Sequence, residues 1–264
     1  MASVKEIRDY YNEIAPYDMK LDFDNVGMLV GFCDAEVTKA VTALDITDEV
    51  IEEAVSCGAQ LIISHHPLLF DAIKRVTDDE SKGRKIIRMI QNGISAICLH
   101  TNMDTADGGV NDCLMRALGG EVTGLLAPHG CHPDGRPYGI SRLGRLPAPM
   151  QFSEFLLQTK QNLHSAGLRY VDGGRPVEYI ACCGGAGAGD MMKAVEAGCD
   201  TYVTADLKYD HFLLAKEIGL NLIDADHFCT ENVVVPYLKE SLLKRFPEID
   251  VQISETHQQT IQFF

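Results

Sequence analysis

Residues 53–66 read Glu-Ala-Val-Ser-Cys-Gly-Ala-Gln-Leu-Ile-Ile-Ser-His-His. The apolar run at 61–63 predicts a buried strand, and Pro67 cannot continue a sheet ladder, so the two histidines follow the end of that strand. Gly58 stands where a helix would need a left-handed residue at its C-terminus. This stretch therefore predicts a helix, a tight turn and a strand that ends in two imidazoles.

A second stretch has the same layout. Residues 193–206 read Lys-Ala-Val-Glu-Ala-Gly-Cys-Asp-Thr-Tyr-Val-Thr-Ala-Asp and align with 53–66 without a gap. Strand and helix patterns alternate around both stretches, which implies largely parallel sheets with right-handed crossovers. The predicted fold is α/β, with two similar α/β lobes that arise from an internal duplication.

The same patterns predict the extent of each lobe. We expect residues 1–125 to form the first α/β lobe, completed by residues 235–264, and residues 126–234 to form the second. The Gly- and Pro-rich segment near 119–136 is the predicted linker. The alternating tail at 260–264 predicts an edge strand.

Two further apolar runs end in side chains that can bind a metal. The run at 94–100 leads to Asp104, and the run at 220–223 leads to His227 and Glu231, which are four residues apart and would share one helix face. A single histidine at a strand end is usually an ordinary hydrogen-bonded residue, whereas five suitable side chains at three similar strand ends favour a metal site. The candidate ligands are His65, His66, Asp104, His227 and Glu231.

Five ligands exceed what one tetrahedral ion needs, so a site for two divalent metal ions is the simpler interpretation. Imidazole and carboxylate donors suit zinc, iron, manganese or nickel, and the residues do not choose among these. Because the ligands belong to different lobes, we expect the metal site in the cleft between them. A second cluster, His129, Cys131 and His132, lies in a Gly-rich loop and is interpreted as a loop.

Composition limits the classes of partner. The chain has 264 residues and a formal net charge of −15, which disfavours binding to nucleic acid or to an anionic membrane surface. No apolar run is long enough to span a membrane, and the first residues lack the apolar core of a signal peptide. Nine scattered cysteines without a C-x-x-C pair suit reduced thiols, so we expect a cytoplasmic protein.

The chain resembles the Nif-three-like family of dinuclear metal centre proteins, also described as GTP cyclohydrolase 1 type 2 homologs. The resemblance runs nearly end to end. It rests on motifs in order across both predicted lobes: Asp24-Asn-Val-Gly27, Ser64-His-His-Pro67, His100-Thr-Asn-Met-Asp104, Gly108-Gly-Val-Asn-Asp112, Gly184-Gly185, Thr204-Ala-Asp206 and Asp224-Ala-Asp-His-Phe-Cys-Thr-Glu231.

The resemblance implies two lobes, a hexameric toroid and two metal ions per subunit, with the same five residues as ligands. The sequence departs from the family pattern at Ala205, where the family has glycine, at Asp210, where it has histidine, and at Asp226, where it has glycine. His211 follows one position after the usual histidine. These departures leave the five ligands in place.

Two ions would suit hydrolysis, because they can acidify a water and polarise a phosphoryl or amidine centre. Asp206, His100 and His211 are candidate catalytic residues that would move protons. The expected activity is hydrolysis of a nucleotide or another small phosphorylated or heterocyclic substrate. The alternative is a non-catalytic protein that handles metal or regulates through interaction.

Overall fold

The computed structural model describes residues 2–264. The chain forms two compact units. The first unit comprises Met1–Met103 and Val234–Gln258, and the second comprises Asp104–Val233 and Gln259–Phe264.

The regular elements begin, in chain order, with β1 (Ala2–Ser3), α1 (Val4–Ile14), β2 (Gly27–Val30), β3 (Glu36–Val37), β4 (Lys39–Ala43), α2 (Asp48–Cys57), β5 (Leu61–Ser64), α3 (Ser81–Gln91), β6 (Ser95–Cys98) and α4 (Thr101–Thr105). They continue with α5 (Val110–Ala117), β7 (Glu121–Leu125), β8 (Pro128–Cys131), β9 (Pro137–Gly139), β10 (Arg142–Met150), α6 (Phe152–Asn162), β11 (Arg169–Val171), β12 (Val177–Cys182), α7 (Met191–Glu196), β13 (Thr201–Thr204), α8 (Tyr209–Ile218), β14 (Asn221–Asp224), α9 (His227–Glu231), α10 (Val235–Arg245) and β15 (Asp250–Ile253).

The sheet of the first unit has the order β15-β4-β5-β6-β2. Its strands pair in parallel except β2, which is antiparallel to β6. Every residue of β5 is buried, as expected for the apolar run at 61–63 in the middle of a parallel sheet. Asp45, His65 and His100 follow closely after β4, β5 and β6, so the carboxyl ends of three adjacent strands carry polar side chains.

The sheet of the second unit has the order β11-β14-β13-β12-β10-β7. Its three central strands, β12, β13 and β14, run parallel, and β10 and β11 flank them in antiparallel pairs. Gly184, Asp206 and His227 come shortly after the carboxyl ends of the three parallel strands. The edge of the sheet that carries the candidate residues is therefore the one at which ligands bind in open α/β sheets.

The α/β class predicted from the sequence is confirmed. Both predicted helix ends have a left-handed glycine, with φ of 72° at Gly58 and 81° at Gly198. Each is followed by a fully buried strand, β5 in the first unit and β13 in the second. The internal duplication stays a prediction, and these matching helix, turn and strand segments are consistent with it.

Two segments differ from the sequence prediction. The predicted linker near 119–136 is not a linker, because it contains β7, which pairs with β10 in the second unit's sheet. The two compact units divide the chain between Met103 and Asp104, and the predicted lobe boundary at 125/126 stays a prediction. The predicted edge strand at 260–264 was wrong, because residues 254–264 have no regular secondary structure, and residues 259–264 group with the second unit.

Candidate metal centre

Three imidazoles lie together in the first unit and are called here the imidazole group (His65, His66 and His100). Their ring nitrogens lie within 4.8 Å of one another. Ring centroids are 5.1 Å apart for His65 and His66, and 5.2 Å apart for His65 and His100. The sequence had predicted the first two as ligands and His100 as a proton carrier.

An oxygen acceptor orients each ring of the imidazole group through Nδ1. His65 Nδ1 lies 2.8 Å from the Leu99 carbonyl oxygen, and His66 Nδ1 lies 2.8 Å from Asp45 Oδ1. His100 Nδ1 lies 2.8 Å from Asp24 Oδ1. Because these acceptors require a hydrogen on Nδ1, a neutral ring keeps its lone pair on Nε2, the arrangement typical of metal-binding histidines.

Asp24, which is buried, and Asp45, which is partly buried, are both ionised at neutral pH. Burial by itself raises the pKa of Asp24, but hydrogen bonds from His100 and Thr101 outweigh it and hold that pKa well below its usual range. The pKa of Asp45 is lowered in the same way, because hydrogen bonds from His257 and His66 outweigh burial. Both carboxylates can therefore accept a hydrogen bond from an imidazole.

The second unit brings together two acidic residues and a histidine, called here the acidic cluster (Asp104, His227 and Glu231). Carboxylate oxygens of Asp104 and Glu231 lie within 4.8 Å of each other. His227 Nε2 lies 3.0 Å from Glu231 Oε2, one turn apart on α9 as the spacing predicted. Its Nδ1 lies 2.7 Å from Asp206 Oδ2, so this ring is oriented by an oxygen acceptor like the other three.

The hydrogen bond with Glu231 raises the pKa of His227 to about 9, against the opposing effect of burial, and Asp206 adds to the rise. Without a metal the imidazole is therefore protonated at neutral pH. A divalent ion would compete with that proton, because only the neutral ring can be a ligand.

Two glycines leave space for the side chain of Glu231 in the acidic cluster. A Cβ on Gly185, which has φ of 61°, would collide with Glu231 Oε1, and one on Gly184 would lie 3.2 Å from Glu231 Cγ. Asn111 Oδ1 accepts a hydrogen bond from Gly184 N at 2.7 Å, and Thr230 Oγ1 accepts one from Gly185 N at 3.0 Å. This loop is shaped to leave space beside Glu231.

The three predicted proton carriers lie in different surroundings. His100 belongs to the imidazole group, and Asp206 contacts His227. His211 lies in the first turn of α8, where its Nδ1 accepts a hydrogen bond from Lys208 N at 3.0 Å. Sequence reasoning assigned no role to Asp45, and Asn111 entered it only as part of a motif, because their partners are distant along the chain.

Comparison with known proteins gives the family. Residues 2–260 match the sequence profile of Duf34/NIF3 (NGG1p interacting factor 3). The chain belongs to the Duf34/NIF3 family. A Clostridium perfringens protein named GTP cyclohydrolase 1 type 2 homolog is 35% identical over 262 residues, with 98% of this chain and 99% of that protein covered.

Solved structures share the fold of this chain. A hypothetical protein of Staphylococcus aureus superposes with a TM-score of 0.92 at 29% identity, covering 99% of each chain. A Bacillus cereus protein related to NIF3 gives the same TM-score at 24% identity, covering 100% of this chain and 99% of that one, and this likeness bears on the fold alone. Among residues 2–264, no helix has the length and apolar character needed to cross a membrane.

One of the departures expected from the sequence, Asp226, has a visible structural effect. Asp226, where the resemblance implied a glycine, directly precedes the predicted ligand His227, and it has φ of 75° and ψ of 139°. Its carboxylate accepts a hydrogen bond from Cys229 N at 3.2 Å and caps α9. Asp226 therefore combines a conformation that favours glycine with a cap that glycine lacks.

Proposed function

We propose that this chain binds two divalent metal ions and uses them to hydrolyse a nucleotide or another small phosphorylated or heterocyclic molecule. The observation that carries the proposal is the shared orientation of four imidazoles. Each has its Nδ1 at 2.7 to 2.8 Å from an oxygen acceptor, which leaves Nε2 as the ligand atom of the neutral ring: His65, His66, His100 and His227. Rings without a ligand to bind have no need of this common orientation.

The donor atoms fit borderline divalent ions. Imidazole nitrogens and carboxylate oxygens suit zinc, iron, manganese or nickel. The proposed ligands are His65, His66, Asp104, His227 and Glu231, and His100 is available to join them. Bound ions would supply Lewis acidity and a water acidic enough to act near neutral pH.

The protein's own residues would position these ligands and move protons. Asp206 would hold His227 in the tautomer that presents Nε2, and Asp24 would do the same for His100. A proton released from water would pass to Asp206, or to Nε2 of His100 when that nitrogen binds no metal. His211 would act only on the part of a substrate that reaches the first turn of α8.

Two observations support the proposed class of substrate. Curated relatives are named GTP cyclohydrolase 1 type 2 homolog, which points to nucleotides for a first screen. Beside His227, a cavity of about 280 Å³ is lined in part by Arg169, Asp206, Asp226 and Phe263. Its mixture of cationic, anionic and aromatic side chains suits a small polar molecule that contains a ring.

The test compares turnover by purified protein loaded with manganese or zinc. Nucleotides, simple phosphoesters and cyclic amidines are offered to the wild type, to His66→Ala and to His129→Ala, which alters an exposed histidine on β8. We expect His66→Ala to lose about 100-fold or more of the turnover while His129→Ala retains it. Equal turnover by all three proteins would exclude chemistry at the proposed ligands.

The alternative function, metal handling or regulation without catalysis, gives a different result in the same experiment. It predicts metal bound by the wild type, lost in His66→Ala, and no substrate consumed by either protein. Vacant coordination positions separate the two functions, because a catalytic ion keeps at least one position for water. Five side chains shared by two ions leave such positions, which favours catalysis.

We also propose that the chain assembles as a homohexamer in the cytoplasm. Helix α8 supports an assembly, because its outer face carries large apolar side chains that are exposed in the single chain. Tyr209 is 80% exposed and Leu213 is 50% exposed, and Leu214 and Ile218 lie on the same helix. An exposed apolar face of this kind is typical of a surface that meets another protein.

A further inference from the structure

Two exposed phenylalanines lie beside the imidazole group. Phe23 is 65% exposed and Phe70 is 41% exposed. Their ring centroids are 6.1 Å apart, and the ring of Phe70 lies 6.0 Å from that of His100. A row of ring contacts therefore runs from solvent, through Phe23 and Phe70, to the imidazoles.

Hydrogen bonds hold the two chain segments that carry the phenylalanines. Asn25 Nδ2 donates to the Leu69 carbonyl oxygen at 2.5 Å, which ties the segment that carries Phe23 to the loop that carries Phe70. Asp24, between Phe23 and Asn25, accepts hydrogen bonds from Thr101 N at 3.0 Å and Thr101 Oγ1 at 2.5 Å. Because these segments are already ordered, a ligand that contacts the rings loses less conformational entropy on binding than it would on mobile segments.

The geometry of the rings and their exposure leave ring surface available to a ligand. Phe23 and Phe70 meet edge to face, with 60° between the ring planes, and Phe70 meets His100 at 84°. In each such pair the edge of one ring contacts a face of the other, so Phe23, which meets only Phe70 in this way, keeps at least one face clear of these ring contacts. Planar heterocycles stack on such faces, whereas an open-chain phosphoester has nothing to stack.

We propose that Phe23 and Phe70 form an aromatic wall that binds the planar heterocyclic ring of the substrate next to the imidazole group. The inference rests on the proposed function, because it assigns the part of the substrate that the metal centre does not hold. The aromatic wall selects molecules with a ring over phosphorylated sugars without one. It acts on affinity, since neither phenylalanine can exchange a proton or bind a metal.

The test uses two probes that share a phosphorylated ribose and differ in the base, GMP and ribose 5-phosphate. Dissociation constants are measured by titration calorimetry for the wild type and for Phe23→Leu, Phe70→Leu and Phe70→Tyr. We expect the wild type to prefer GMP, and each leucine variant to weaken GMP binding by about fivefold or more without affecting ribose 5-phosphate. Phe70→Tyr keeps an aromatic face and should keep the preference.

Phe32→Leu is the matched control, because Phe32 is 46% exposed in the same unit and lies outside the aromatic wall. Equal affinity of the wild type for both probes, or no binding of either, overturns the inference. A leucine variant that weakens both probes alike, or a Phe32→Leu effect as large as that of Phe23→Leu, also overturns it.

Metal content measured on the same samples separates this inference from the proposed function. A wild type that holds metal but does not prefer GMP removes the aromatic wall and leaves the metal centre. A wild type that binds no metal removes the proposed function. The GMP preference is then measured in the presence of a chelator and still decides the aromatic wall.

Discussion

At Asp226 the backbone has φ of 75° and ψ of 139°, a combination that glycine adopts readily and other residues adopt under strain. Asp226→Gly removes the strain and loses the cap of α9, whereas Asp226→Ala keeps the strain and loses the same cap. We expect the glycine variant to raise the free energy of unfolding by about 1 kcal/mol and the alanine variant to lower it by about 1 kcal/mol. Denaturant unfolding of the metal-free protein measures both, and equal losses would show that Asp226 carries no strain.

Asp45 is predicted to act on metal affinity through His66. Asp45→Asn keeps the shape of the side chain but weakens the acceptor that holds His66 Nδ1. We expect zinc affinity to fall by about 10- to 100-fold, measured by competition with a chelator. Glu52→Gln, which alters an exposed carboxylate paired with Arg88, is the control and should leave the affinity unchanged. An unchanged affinity in Asp45→Asn would contradict this role.

His227 gives the metal-free protein a pH-dependent stability. Its pKa rises from an ordinary 6.5 to about 9, mainly through the hydrogen bond to Glu231, so protonated His227 stabilises the folded state. This contribution is complete below pH 6.5 and is lost as the pH rises towards 9. In chelator, the difference in thermal midpoint between wild type and His227→Gln should shrink between pH 6 and pH 9.5. A difference that is constant or grows over this range would contradict the shift.

Local patterns in the sequence single out the proposed ligands, but they do not reveal the residues that orient them. His65 and His66 could be found because they directly follow an apolar run, and Glu231 because it lies one helical turn from His227. Asp45 lies 21 residues from His66 along the chain, and only the parallel pairing of β4 with β5 brings the two close. Local patterns do not contain that information.

At the scale of elements, the turn between β12 and α7 is predicted to control the space for Glu231. A Cβ on Gly185 would collide with Glu231 Oε1, whereas one on Gly198 would meet no atom within 4 Å, although both glycines have positive φ. We expect Gly185→Ala to lose most of its bound metal. Gly198→Ala should lose about 1 kcal/mol of stability and keep its metal.

Metal analysis after dialysis, together with denaturant unfolding, checks both glycine variants. Full metal content in Gly185→Ala would show that the turn does not position Glu231. Loss of metal in Gly198→Ala would show that backbone strain alone accounts for both effects.

Elements with strong periodicity were predictable, and elements that depend on distant pairing were not. The sequence predicted the buried strand β5 and the glycine at the end of α2, and the structure contains both. The residues of β7 were predicted to belong to a linker because the surrounding segment is rich in glycine. The strand is defined by its pairing with β10, which the local sequence does not indicate. The tail at 260–264 alternates like a strand, yet it does not join either sheet.

At the scale of the whole molecule, the proposed hexamer depends on an apolar surface of α8. Leu213 is 50% exposed, and Leu213→Glu would place a charge in a buried interface. We expect native mass spectrometry to find six copies for the wild type and smaller species for Leu213→Glu. Lys216→Glu, on the same helix, is the control for added negative charge. A monomeric wild type would contradict the assembly, and a hexameric Leu213→Glu would exclude α8 from the interface.

The metal content of the intact chain tests the central proposal most directly. Protein dialysed against excess manganese or zinc and then against buffer is analysed by plasma mass spectrometry, alongside His66→Ala, Glu231→Gln and the control His129→Ala. We predict about two ions per chain in the wild type and in the control, with less in each of the other variants. Less than one ion in the wild type, or undiminished content in both His66→Ala and Glu231→Gln, would contradict the proposal.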